Sequence, residues 1–280
     1  MLTILAPTDL SPRSRAGLRF ALQWSVHLKI KLIFFHLFNP IRLPQWSNTQ
    51  FGEYAAREQS LKQIELDKYI HDLYKTMNIS PGNYSCVVQQ GISADLSILD
   101  YCRAAGNIDF ICLATHGAGK IERIFGTRTG NLITKSQVPV IAIPEKYKRK
   151  PISRVVYAAD FSHYKYELKK VRAVARSLQA SVEVLHLDNP YEVLPDENTL
   201  RGSHEQGFPM GIEVGIKRDN PRHSFFRDLK NEIEKSNSSL VIMFTNQHRS
   251  ILDRILFPSK AEHLSFDLPV PLLVFPKIEE

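Results

Sequence analysis

The sequence predicts an α/β fold made of two consecutive copies of one unit, each an open five-stranded parallel sheet flanked by helices. Three observations predict it. Apolar runs rich in Val, Ile, Leu and Phe, the composition of strands buried on both faces, alternate with segments of helical period. That alternation argues parallel pairing through right-handed crossovers. The whole pattern also occurs twice along 280 residues, a length that suits two modest domains.

The repeat is marked by three landmarks in order. Thr3-Ile4-Leu5-Ala6-Pro7-Thr8-Asp9 is matched by Arg154-Val155-Val156-Tyr157-Ala158-Ala159-Asp160. Phe35-His36-Leu37-Phe38-Asn39-Pro40 is matched by Leu185-His186-Leu187-Asp188-Asn189-Pro190, and Val138-Pro139-Val140 by Val270-Pro271-Leu272. The offsets of 151, 150 and 132 place a deletion in the second copy between its second strand and its end. The domains are therefore expected at residues 1–146 and 152–280.

In the first copy, strands are expected at 2–8, 31–38, 84–90, 109–114 and 138–143. Ser11-Pro12 reads as an N-cap followed by proline at the first helical position, opening a helix to about Leu28. Further helices are expected over about 53–77, from Ser93-Ala94-Asp95 to Ala105, and from near Thr129. The second copy repeats this with strands at 153–159, 181–187, 212–217, 239–244 and 271–275. Its segment 190–211, rich in Pro, Gly and polar residues, stands where the first copy has its long helix and reads as a loop.

Composition excludes several classes. With 43% hydrophobic and 23% charged residues and no apolar run of ~18, the chain is neither disordered nor membrane-spanning. No export signal is visible at Met1-Leu2-Thr3-Ile4-Leu5, so a cytoplasmic protein is expected. Cys86, Cys102 and Cys112 have no metal-ligand spacing and read as core thiols in a reducing compartment. The net charge of +7 is unevenly placed: residues 1–150 hold 19 Lys and Arg against 11 Asp and Glu, whereas 151–280 hold 17 against 18. Part of the surplus is Lys146-Tyr147-Lys148-Arg149-Lys150-Pro151, which reads as a solvated linker rather than a nucleic-acid contact. The basic half suits a small polyanion.

In an open α/β sheet, ligands bind beyond the C-terminal ends of the strands. Asp9 falls there, as does the loop Ala114-Thr115-His116-Gly117-Ala118-Gly119-Lys120, with Gly126-Thr127-Arg128-Thr129-Gly130 at the mouth of the next helix. Glycines that expose backbone N–H groups, Thr hydroxyls and a positive helix end suit phosphate oxygens, and an aspartate suits ribose hydroxyls. Taken singly, the glycines read rather as turn and cap residues. Gly119-Lys120 is not a P-loop, because Ala114 and Ile121 occupy the positions where that pattern needs Gly and Ser or Thr. His36 and His186, inside apolar strands, read as core histidines.

Asp9 after the first strand, His36-Leu37 ending the second, the glycine loop, Gly126-Thr127 and the closing Val138-Pro139-Val140 together resemble the universal stress protein family, over nearly the whole chain and twice over. The resemblance implies two tandem Rossmann-like, adenine nucleotide alpha hydrolase-like domains. Nucleotide-binding members carry G-x2-G-x9-G-[ST]. Here Ala114 replaces the first glycine, and eight residues rather than nine separate Gly117 from Gly126. Carried over by position, adenine and ribose contacts fall on Pro7, Thr8, Asp9, Leu37 and Leu113. Ala114 follows them at the start of the phosphate loop, and phosphate contacts fall on Gly117, Gly126, Thr127, Arg128 and Thr129.

The resemblance implies ATP or a related adenine nucleotide as ligand, with magnesium if a triphosphate binds, in a stress-response regulator rather than an efficient catalyst. It also implies that Val138–Ile143 runs beside Val270–Phe275, and it leaves a homodimer open. The second copy offers Phe244-Thr245-Asn246-Gln247-His248-Arg249 and Pro258-Ser259 in place of the glycines, and Phe244 is expected to project toward the phosphate path. Two other readings stay open. One is a slow ATPase or phosphotransferase using His116, Lys120 or Arg128; the other is a nucleotide-free protein that binds a partner or an apolar ligand near 190–211.

Overall fold

The computed structural model describes residues 1–26, 28–115, 127–159, 164–188, 212–218, 225–244 and 268–276. The first half runs β1 (Leu2–Thr8), α1 (Arg15–Ser25), β2 (Ile30–Phe38), α2 (Asn48–Met77), β3 (Tyr84–Gln90), α3 (Ala94–Ala105), β4 (Phe110–Thr115), α4 (Thr127–Lys135) and β5 (Val140–Pro144). The second runs β6 (Arg154–Ala159), α5 (Tyr164–Leu178), β7 (Ser181–Asp188), β8 (Ile212–Arg218), α6 (Phe225–Lys235), β9 (Leu240–Phe244) and β10 (Leu272–Phe275). The segment 190–211 and Asp160 lie outside the described residues.

The two halves share one ten-stranded sheet in the order β3-β2-β1-β4-β5-β10-β9-β6-β7-β8. Within each half the pairing is parallel. At the seam β5 and β10 are antiparallel, with Ile141 opposite Leu273. Alternate strand residues feed two core layers. One gathers Ile4, Phe34, Cys112, Tyr157 and Phe275 under α1, α2 and α5; the other gathers Leu5, Phe35, Ile111, Val156 and Val274 under α3, α4 and α6. This period of two buries both sheet faces.

Several boundaries differ from the sequence expectation for local reasons. Strand β5 starts at Val140 rather than Val138, because Ser136 Oγ engages both the N–H and the carbonyl of Val138, and Pro139 has no N–H for the ladder. Helix α2 starts at Asn48 rather than about 53, because Ser47 and Gln50 form a reciprocal capping box. Ser11-Pro12 opens only a 3₁₀ turn, Pro12–Ser14; α1 begins at Arg15 and ends at Ser25 rather than about Leu28, and Ser11 caps nothing with its side chain.

The basic tract is not a freely solvated linker. Tyr147 and Ile152 are buried, Tyr147 packs edge-on against Phe20 of α1, and Gln23 Nε2 donates to Lys150 O at 2.7 Å. Cys102 and Cys112 are buried and Cys86 is half-buried, all three as free thiols.

Candidate functional site

Strands β1 and β4 are neighbours, and the chain leaves them in opposite directions, β1 toward β2 and β3, β4 toward β5. Their C-terminal ends therefore diverge at a topological switch point, where doubly wound sheets open a crevice. A cleft of about 270 Å³ lies there. Pro7, Thr8, Asp9, Leu37, Leu113 and Ala114 all line it, so the structure brings these six expected residues together.

The turn after β1 is fixed by a chain of hydrogen bonds. Leu10 N–H donates to Thr8 Oγ1 at 3.0 Å, and Ser14 Oγ donates to Ser11 O at 2.9 Å. Ser14's proton being so used, the Thr8 hydroxyl donates to Ser14 Oγ across 2.8 Å. Ser11 N–H donates to Asp9 Oδ1 at 3.0 Å, and Leu10 takes the left-handed conformation at φ 63°. An L side chain held there costs on the order of 1–3 kcal/mol, which the surrounding bonds offset. The outcome is an exposed, oriented Asp9 carboxylate at the cleft mouth.

His36 lies buried in β2 with Nδ1 2.9 Å from Thr8 O. A carbonyl only accepts, so Nδ1 carries the proton, and the ring serves as a core strut under the end of β1.

Two glycines make the cleft walls possible. A Cβ on Gly17 would lie 2.6 Å from Ala114 N and 2.8 Å from the carbonyl carbon of Leu113, so α1 can rest on β4 only with glycine there. A Cβ on Gly91 would meet Ser97 Oγ at 2.6 Å and Leu37 Cδ1 at 2.8 Å. The turn from β3 to α3 is thereby pressed onto Leu37. Neither glycine belongs to a sequence motif, and their role is visible only once the strands are adjacent.

Sequence reasoning also missed Asp95. It is buried at the start of α3 and lines the cleft. Ser93 Oγ donates to one carboxylate oxygen, and Asn131 Nδ2, on α4, donates to the other at 2.9 Å. The Ser93 hydrogen bond holds the Asp95 carboxyl below the usual carboxylate range; burial opposes it, and Asn131 and the Leu96 N–H assist. Asp95 thus ties α3 to the first turns of α4, the helix that carries Thr127, Arg128 and Thr129. The available signal was an acidic residue two positions after a capping serine, which reads as ordinary helix-start chemistry.

Thr129 is buried in α4. Thr127 and Arg128 stand in its first turn, but their side chains lie outside the described residues, as do Gly117, Gly126, His116 and Lys120. Among the described residues that line the cleft, the charged ones are Asp9 and Asp95, and none is basic. Among the described residues no group of three His, Cys, Asp or Glu could hold a metal ion, and no helix is long and apolar enough to cross a membrane. In the second half, Phe244 does not project toward a phosphate path. Its ring lies in the core, stacked on Phe275 at 4.9 Å and edge-on to Tyr157.

Comparison with known proteins agrees with this geometry. The chain superposes on a universal stress protein from Archaeoglobus fulgidus with a TM-score of 0.69, at 19% identity and covering 98% of both chains. It is also similar to a putative universal stress protein from Pseudomonas aeruginosa, with a TM-score of 0.54, 14% identity and coverage of 98% of this chain and 92% of that one. At such identity these likenesses establish the fold, tandem arrangement included. No curated protein matches the sequence. The profile of the universal stress protein family, however, matches residues 1–144. The chain belongs to the universal stress protein family.

Proposed function

We propose that the first half, residues 1–146, binds one ATP or related adenine nucleotide in the cleft between β1 and β4, and that the protein acts as a non-catalytic stress-response regulator in the cytoplasm. The observation that carries this reading is the convergence of Pro7, Thr8, Asp9, Leu37, Leu113 and Ala114 on one cleft at the switch point of the sheet. At about 270 Å³ it sits near the lower end of ligand pockets, roughly 300–1,000 Å³. That volume suits a base and its sugar, with phosphates continuing toward the N-terminus of α4.

The chemistry of the lining supports this division. Leu37, Leu113 and Ile98 supply an apolar slot for the purine, and backbone groups of Pro7–Asp9 supply its polar contacts. The exposed Asp9 carboxylate accepts from ribose hydroxyls, a charge-assisted bond. Thr127, Arg128 and Thr129 at the start of α4 meet the phosphates, with the helix dipole favouring negative charge. Magnesium would arrive with a triphosphate, held largely by its oxygens and water. The second half, residues 152–280, supports the first through the β5–β10 seam, and Phe244 occupies the place of Ala114 with a core side chain.

Native mass spectrometry of the full chain with ATP, ADP and AMP tests the reading. One adduct per chain is expected with the wild type and little with Asp9→Ala. An adduct unchanged by Asp9→Ala, or none with any adenine nucleotide, contradicts it.

A further inference from the structure

Counted by element along the sequence, the excess of positive charge falls on one face of the sheet. Of the helices on the α1 side of the sheet, α2 is balanced, with four Lys and Arg against five Asp and Glu. The 3₁₀ turn with α1, the linker 145–153 and α5 together carry twelve basic residues against Glu145 and Glu167. Glu167 is fully buried and accepts from Tyr157 Oη, so it does not offset surface charge. On the other face α3, α4 and α6 hold six basic against five acidic residues. The net +7 of the chain is therefore an excess concentrated along α1, the linker and α5.

The linker carries this strip from α1 toward the second half. Arg13 lies 3.9 Å from Glu145, Phe20 meets Tyr147, and Gln23 bonds Lys150, so the linker runs alongside α1 in step with it. Arg13, Arg15 and Arg19 are exposed on the helix, and Lys146, Lys148 and Arg149 on the linker. Helix α1 packs over β1, β4 and β5, and α5 over β6 and β7. Four strand spacings separate β4 from β6, roughly 20 Å. From Arg13 in the 3₁₀ turn to Gln23 in α1, ten residue steps span about 15 Å.

We propose that this strip docks the sugar-phosphate backbone of double-stranded nucleic acid without reading its sequence. A duplex presents one charge per about 1.7 Å of axis, so about 15 Å offers roughly nine phosphates to the seven basic residues of the 3₁₀ turn, α1 and the linker, with Lys169 and Lys170 of α5 farther across the sheet. Both helices lie flat on the sheet with Leu18, Phe20, Leu22, Trp24, Val171 and Val174 buried beneath them, so neither helix protrudes to enter a groove and read base edges. A membrane surface is the poorer fit. The large apolar residues exposed on the strip, among those described, are Val26 and Tyr166, too few for interfacial insertion. On this proposal the exposed Lys146, Lys148 and Arg149 form a contact surface as well as a linker.

The test is fluorescence anisotropy of the full chain with a labelled duplex of about 20 base pairs, across a salt series. Binding at low salt is expected, with log K falling linearly against log salt at a slope of about −4 or steeper. The triple variant Lys146→Gln, Lys148→Gln, Arg149→Gln should bind at least about ten-fold more weakly and flatten the slope by about 2–3. Lys169→Gln with Lys170→Gln, on the other half, should also weaken binding, while Arg103→Gln with Lys135→Gln on the opposite face should not. All these positions are at least partly exposed, and matching circular dichroism separates loss of binding from loss of fold. Absence of binding at low salt, equal losses from the opposite-face variant, or capture by phosphatidylserine vesicles without duplex binding would each overturn the proposal.

Discussion

Gly17 and Ala114 touch through their backbones: a Cβ on the glycine would stand 2.6 Å from the amide nitrogen of the alanine. The contact joins α1 to β4 where the cleft opens, so it links helix packing to site shape. Gly17→Ala should lower stability by up to about 2 kcal/mol, because overpacking of about 1–3 kcal/mol against the β4 backbone outweighs the helix-propensity gain of about 1 kcal/mol. Gly52 in α2 has nothing within 4 Å, so Gly52→Ala should be neutral or stabilising by up to about 1 kcal/mol. Urea denaturation midpoints of the two variants check the contrast.

Asp95 links α3 to α4, and its carboxylate is favoured over the acid in the folded protein. A pKa lowered by folding contributes stability that is present above the unfolded value, about 3.9, and is lost as pH falls through the lower folded value. Asp95→Asn should therefore cost about 1–3 kcal/mol at pH 7, and the gap from wild type should shrink as pH drops below about 4. Denaturation midpoints measured between pH 7 and pH 3 follow it directly.

Phe275 joins the halves from the second side of the seam. It stacks on Phe244 and meets Phe110 of the first half edge-on at 6.4 Å. Removing its ring leaves a cavity between β10, β9 and β4, and Phe275→Ala should cost about 3–5 kcal/mol. If the seam couples the halves, the wild type unfolds in one transition and the variant in two, which calorimetric melting resolves.

The thiols should be inert. Burial raises Cys86 to about 12, with Asp67 adding through a hydrogen bond and its charge, and burial alone raises Cys102 to about 11. Cys112, wholly enclosed with Sγ donating to Gly17 O, is pushed higher still by burial. Because the thiolate is the reactive form, labelling by a disulfide reagent at pH 8 should be slow in the native chain and rapid in denaturant.

Most of the fold was legible because buried parallel strands are written in apolar runs: each expected strand lies within two residues of an observed one. Where local chemistry outvoted periodicity, boundaries moved, as at Ser136-Pro139 and at the Ser47 capping box, whose Ser and Gln three apart were readable in advance. The cleft lining of Pro7, Thr8, Asp9, Leu37, Leu113 and Ala114 was legible from the position of Asp9 and from the family resemblance. Gly17, Gly91 and Asp95 were not, because each acts through an element distant in sequence: α1 on β4, β3 against Leu37, α3 on α4. The basic charge could be counted in the sequence, but its place on the surface could not. Its location depends on the linker running along α1, which Tyr147 and Gln23 decide and no local pattern announces.

Isothermal titration calorimetry of the full chain with ATP, ADP, AMP and adenosine tests the nucleotide cleft most directly. One site per chain is expected, with Asp9→Ala weakening every ligand by about ten-fold or more, the worth of a charge-assisted hydrogen bond. Measurable heat from no adenine ligand in the wild type, or an unchanged affinity in Asp9→Ala, would contradict it.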